Sequence, residues 1–143
     1  MTTLRLTGHD LSIGDVVSVA RGHVPVALDR VAERHVADAA KFVAELAAGN
    51  APVYGVNTGF GDLSTVRIPT TDLRTLQRNL VRSHSVGVGE PLPEDVTRAI
   101  LLLRANTLAA GRSGVRVEVI ELLLGMLDSG VHPVIPMHGS VGA

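Results

Sequence analysis

Six histidines, one tyrosine and no cysteine are the stock from which any chemistry in this 143-residue chain must be built. Without cysteine, thiolate nucleophiles, disulfides and cysteine-held zinc are excluded together. A nucleophilic serine has one setting, His138-Gly139-Ser140-Val141-Gly142, which approaches the G-x-S-x-G elbow with histidine in place of the first glycine. An elbow serine needs a base and an acid that follow it in the chain, and only three residues follow Ser140. That stretch is therefore expected to be a tight turn of small residues. His9, His23, His35, His84, His132 and His138 include no i, i+4 pair around a carboxylate, and His132 and His138 are separated by two prolines, so no metal site is expected. The pairs Gly59-x-Gly61 and Gly87-x-Gly89 lack the third glycine and the strand-to-helix setting of a dinucleotide fingerprint. Tyr54 stands apart, the sole tyrosine of a chain with 2% aromatic residues, placed among Gly55, Gly59 and Gly61. A phenol ionises near pH 10 in water, so a tyrosine acts as a base at neutral pH only where its neighbours favour the phenolate. On backbone of this kind it can close over a site as well as pack as a loop anchor.

The elements that must hold such residues follow from the pattern of apolar positions. A 45% hydrophobic and 19% charged chain of this length is enough for one packed core, and a net charge of −1 with acids and bases mixed offers no field for nucleic acid or an anionic membrane. Neither a basic leader with an apolar block nor an uninterrupted apolar window of spanning length occurs, and a soluble cytoplasmic chain is expected. Leu4 to Leu11 alternates like a short strand or arm, and Ser12 offers an N-cap for a turn or two of helix through Val17. Asp29 caps a better helix, with Val31, Val36, Ala39, Ala40, Val43 and Leu46 at helical spacing until Gly49-Asn50. From Ala51 to Pro69 the periodicity vanishes, which predicts a long loop of the kind that is usually functional or disordered. Further helices are expected from Leu73 to the region before Gly87, from Pro93 to Gly111, and from Val115 to Asp128, closed by Gly130. The last is apolar nearly all round, as a helix in the middle of a larger bundle would be. The expected fold is mainly α, with no linker dividing the chain.

Three stretches, "PVYGVNTGFG" at 52 to 61, "NLVRSHSVGVGEPL" at 79 to 92 and "GSVGA" at 139 to 143, resemble the signatures of the histidine and aromatic amino acid ammonia-lyases, in order and at matching separations. "RANTLAAGRSGVR" at 104 to 116 resembles that family's segment between the second and third of them. The resemblance covers nearly the whole chain and implies the N-terminal part of a helical-bundle lyase, with residues 51–69 as its catalytic loop.

The resemblance also implies chemistry. In the family, "GSVGA" continues as Ser-Gly-Asp, and the Ala-Ser-Gly tripeptide cyclises with loss of water to the electrophilic 4-methylidene-imidazol-5-one group (MIO), with no metal. Ala143 matches the alanine, and Gly142 and Gly139 supply backbone without β-carbons that can turn tightly enough for ring closure. Tyr54 matches the loop tyrosine that removes the substrate's β-proton, and Ser83-His84 falls at the pair associated with substrate choice. A Ser-His pair is typical of the histidine-specific members, which convert L-histidine to trans-urocanate and ammonia. Some tyrosine aminomutases also carry "NLVRSHS", so tyrosine ammonia-lyase or tyrosine 2,3-aminomutase activity stays open, as does a helical fragment that only docks with a partner. A small-molecule amino acid substrate, the remainder of the same polypeptide and a homotetramer are the implied partners. Asn57, Gly61, Asn79 and Arg104 lie in the matched stretches without an assigned chemical role.

Overall fold

The computed structural model describes residues 3–139, which form two compact units: one from the chain up to Ala40 together with Glu90–Ile135, the other from Lys41–Gly89 and the segment that starts at Pro136. The fold is mainly α, with five α-helices among the described residues.

In the first unit, β1 (Leu4–Leu6) pairs in parallel with β2 (Val26–Leu28), Leu4 opposite Val26 and Leu6 opposite Leu28. Parallel strands need a crossover, and α1 (Ile13–Gly22) supplies it. That helix starts at a capping box: the Asp15 N–H donates to Ser12 Oγ at 3.1 Å, and the Ser12 N–H and hydroxyl donate back to Asp15 Oδ2 at 3.0 and 2.6 Å. It runs five residues beyond the expected Val17, because Val19 and Ala20 add a buried turn to its inner face. α2 (Arg30–Ala48) begins where the Val31 N–H donates to Asp29 Oδ1 at 2.8 Å. α4 (Glu94–Ala109) begins behind Pro93 with Glu94 and Asp95 in its first turn, where the helix dipole favours negative charge.

The core of this unit gathers Leu6, Val19, Val26, Val36, Leu102, Ala105, Ile120 and Leu127, contributed by both strands and by α1, α2, α4 and α5 (Val117–Ser129). Leu102 and Ile120 are fully buried, each worth about 1.5 to 3 kcal/mol against exposure. α5 is less enclosed than its composition predicts: Ile120, Leu124 and Leu127 are buried, whereas Leu122 is 64% exposed. Gly111 terminates α4 at φ +69, with His35 Cβ 2.9 Å from where a β-carbon would sit.

Arg98 of α4 crosses this core with its side chain buried. Its Nε and Nη2 donate to the carbonyls of Val19 and Ala20, and its Nη1 donates to Leu127 O at 3.0 Å and to His132 Nε2 at 2.9 Å. Those three carbonyls belong to the last turns of α1 and α5, which have no acceptor-satisfying N–H of their own. The negative ends of two helices thus offset one buried guanidinium.

The second unit holds the end of α2, the long connection after it and α3 (Leu73–His84). Gly87 and the first residues of β3 (Val88–Pro91) lie against β4 (Pro136–His138). No helix among the described residues is long and apolar enough to cross a membrane.

Candidate active site

The connection from 51 to 69 has no regular helix or strand beyond one 3-10 turn at Gly61–Leu63, yet it is tightly organised. Two turns fold its first half, where the Val56 and Asn57 N–H groups both donate to Val53 O. An antiparallel bridge closes the second half: Thr58 faces Arg67, the Gly59 N–H donates to Val66 O, and the Ile68 N–H donates to Asn57 O at 2.8 Å. Arg67 fastens the loop to the end of α2 through a 3.0 Å hydrogen bond from Nη2 to Gly49 O.

Tyr54 stands at the tip of this fold, 64% exposed. Its ring meets Phe60 edge to face, with centroids 5.8 Å apart and planes at 75°, an arrangement that steadies the ring. Beneath it lie Asn57 and Thr58, both buried. Asn57 Oδ1 accepts the Val53 N–H at 2.7 Å, and its Nδ2 donates to Ala51 O at 3.0 Å and Leu46 O at 3.4 Å. Thr58 Oγ1 accepts the Gly55 N–H at 3.3 Å and donates to Gly59 O at 3.0 Å. Sequence reasoning named Asn57 without a role and missed Thr58. The available signal was two uncharged polar residues side by side in a glycine-rich loop, each able to replace missing backbone partners.

Ser83 and His84 occupy the last turn of α3 and are exposed. His84 Nδ1 lies 2.9 Å from Leu80 O and 3.0 Å from Ser83 Oγ, and the Ser83 hydroxyl donates to the same carbonyl at 2.9 Å. A carbonyl only accepts, so the proton of the neutral ring is on Nδ1 and Nε2 is left as the acceptor. Both side chains bond the same carbonyl, Leu80 O, and together they fix one imidazole orientation. No hydrogen bond or ring contact joins them to Tyr54 among the described residues. Gly142 and Ala143, expected to form the cofactor, lie outside the described residues, as does Ser140. Among the described residues, Gly87 packs against Pro136, where a β-carbon would sit 2.9 Å from Pro136 Cγ. Among the described residues, no group of three His, Cys, Asp or Glu side chains converges as a metal site would require.

A mainly helical chain that carries one tyrosine on a braced loop and a histidine at a helix end leaves its class of protein open. Comparison with known proteins narrows it: residues 11–143 match the family described as aromatic amino acid lyase, and the chain belongs to that family. It is 52% identical over 143 residues to a histidine ammonia-lyase of Koribacter versatilis, covering 100% of this chain and 28% of that protein. Among solved structures, it is similar to ergothionase from Treponema denticola, at 38% identity and a TM-score of 0.92, covering 98% of this chain and 28% of that one. It is also similar to a tyrosine aminomutase from Streptomyces globisporus, at 36% identity and a TM-score of 0.91, covering 97% of this chain and 26% of that one. The chain spans about a quarter of the length of the curated relatives it matches.

Proposed function

We propose that this chain is the N-terminal segment of a histidine ammonia-lyase, a cytoplasmic homotetramer that converts L-histidine to trans-urocanate and ammonia. The observation that carries the reading is the single phenol of the chain, exposed on a loop whose buried polar side chains brace the backbone on both sides of it. In the reaction the Cβ–H and Cα–N bonds break and a Cα=Cβ double bond forms. The β-proton is weakly acidic, so its removal needs a base aimed at Cβ, the role assigned to Tyr54 as phenolate. The 4-methylidene-imidazol-5-one group, formed from Ala143 and a Ser-Gly that follows it, supplies an electrophilic carbon that draws electron density from the substrate. Its fit rests on the small residues Gly139 and Gly142 of the segment that would form it. His84, steadied by Ser83 and Leu80 O, accepts an N–H of the substrate's imidazole at Nε2 and orients the ring.

The same acceptor suits a phenolic O–H, and the similarity to a solved tyrosine aminomutase favours tyrosine as the second reading. The higher identity to a curated histidine ammonia-lyase supports histidine. Turnover by the full-length enzyme tests the choice: urocanate from L-histidine is expected to outpace any product from L-tyrosine. Preference for L-tyrosine would overturn it.

A further inference from the structure

The backbone on each side of Tyr54 is held by a buried side chain, and those side chains are neighbours in the sequence. The N–H before the tyrosine, at Val53, donates to Asn57 Oδ1, and the N–H after it, at Gly55, donates to Thr58 Oγ1. Asn57 and Thr58 are 1% and 0% exposed, so neither can serve as a direct contact for a substrate arriving at the exposed phenol. Their remaining polar atoms are also used inside the loop. Asn57 Nδ2 reaches the carbonyls of Ala51 and Leu46, tying the loop to the last turn of α2, and the Thr58 hydroxyl donates to Gly59 O. The backbone of Asn57 adds two more bonds, to Val53 O and from the Ile68 N–H, which join the two halves of the loop. No regular secondary structure is available here to fix φ and ψ, so these side chains do the work that a helix or sheet ladder does elsewhere.

We infer that Asn57 and Thr58 are the positioning residues for Tyr54, setting the direction of its phenol for proton removal by bracing the backbone at Val53 and Gly55, on either side of it. The inference rests on the reading of Tyr54 as the base. A base must stand within hydrogen-bond reach of the proton it takes, and small displacements of a reacting group lower turnover steeply. A brace that acts through geometry should therefore govern kcat more than KM.

The test compares Asn57→Ala, Thr58→Val and Thr58→Ser in the full-length enzyme by hydrogen-exchange mass spectrometry and steady-state kinetics. Valine keeps the shape of threonine and removes the hydroxyl, while serine keeps the hydroxyl. For Asn57→Ala and Thr58→Val, exchange in the peptide around residues 52–60 is expected to rise about tenfold, with α4 unchanged. In both, kcat is expected to fall about tenfold or more with KM within about threefold, and Thr58→Ser is expected to keep near-parental values on both readouts. Should Asn57→Ala fail to fold, the Val and Ser pair at position 58 carries the same comparison. Unchanged exchange around Tyr54 overturns the inference, and so does faster exchange with undiminished kcat while Tyr54→Phe is inactive. Faster exchange together with a fully active Tyr54→Phe instead removes the base itself, and the inference falls with it.

Discussion

Replacing Arg98 by methionine removes a buried cation and keeps most of its volume, which isolates the guanidinium's hydrogen bonds from its packing. The guanidinium serves the carbonyls of Val19, Ala20 and Leu127 and the Nε2 of His132, in a side chain 2% exposed. Methionine offers none of these donors. Stranding a buried acceptor costs about 1 to 3 kcal/mol, and carbonyls at helix ends fall toward the lower figure because slight fraying admits water. Three stranded carbonyls at about 1 kcal/mol each give about 3 kcal/mol. Losing a buried charge relieves some desolvation, but three of its four partners are backbone carbonyls that no substitution removes, so the change stays unfavourable. Urea unfolding followed by helical circular dichroism measures it. Arg98→Lys should lose less, because one ammonium can still bond one helix end. A loss below about 1 kcal/mol for Arg98→Met would refute the view that this side chain joins α1 to α5.

Three further outcomes are expected. Hydrogen bonds from Ser12 hold the Asp15 carboxyl below the usual aspartate range, the Val31 N–H does so for Asp29, and Arg21, 3.0 Å away, does so for Asp95. Each lowered value means the ionised form favours the fold, so the contribution is complete above about pH 4 and is lost as acid carries each group through its lower folded-state value. Thermal midpoints should fall below about pH 4, and Asp15→Asn should flatten that fall; midpoints indifferent to acid would contradict the assignment. Ser12→Ala should cost about 1 kcal/mol in urea unfolding by removing the cap of α1. Gly111→Ala forces a left-handed φ on alanine and brings its β-carbon against His35, and should cost about 1 to 3 kcal/mol in the same assay.

Helices were legible because apolar spacing and caps act locally. Val96, Ile100 and Leu103 marked α4 correctly, although in the fold these residues sit on its more exposed side, and Leu101, Leu102, Ala105 and Leu108 form the buried one. Helical spacing alone does not decide which of two apolar faces wins. Arg98 was invisible for a related reason, since an arginine between apolar positions reads as solvated until two helix ends are seen to converge on it. β1 and β2 span three residues each, too short for alternation to stand out, and their pairing depends on a crossover that only the fold supplies. At the candidate site, residue type and rarity marked Tyr54, and motif marked Ser83 and His84. The bracing by Asn57 and Thr58 depends on side chains returning to nearby backbone, which residue spacing does not encode.

Tyr54→Phe in the full-length enzyme tests the central claim most directly. Phenylalanine keeps the ring and its edge contact with Phe60 and deletes only the oxygen, so circular dichroism and unfolding should match the parent. Urocanate formation from L-histidine is then expected to fall by about 100-fold or more in kcat, the scale of a lost acid–base group. Full turnover by Tyr54→Phe would contradict the account.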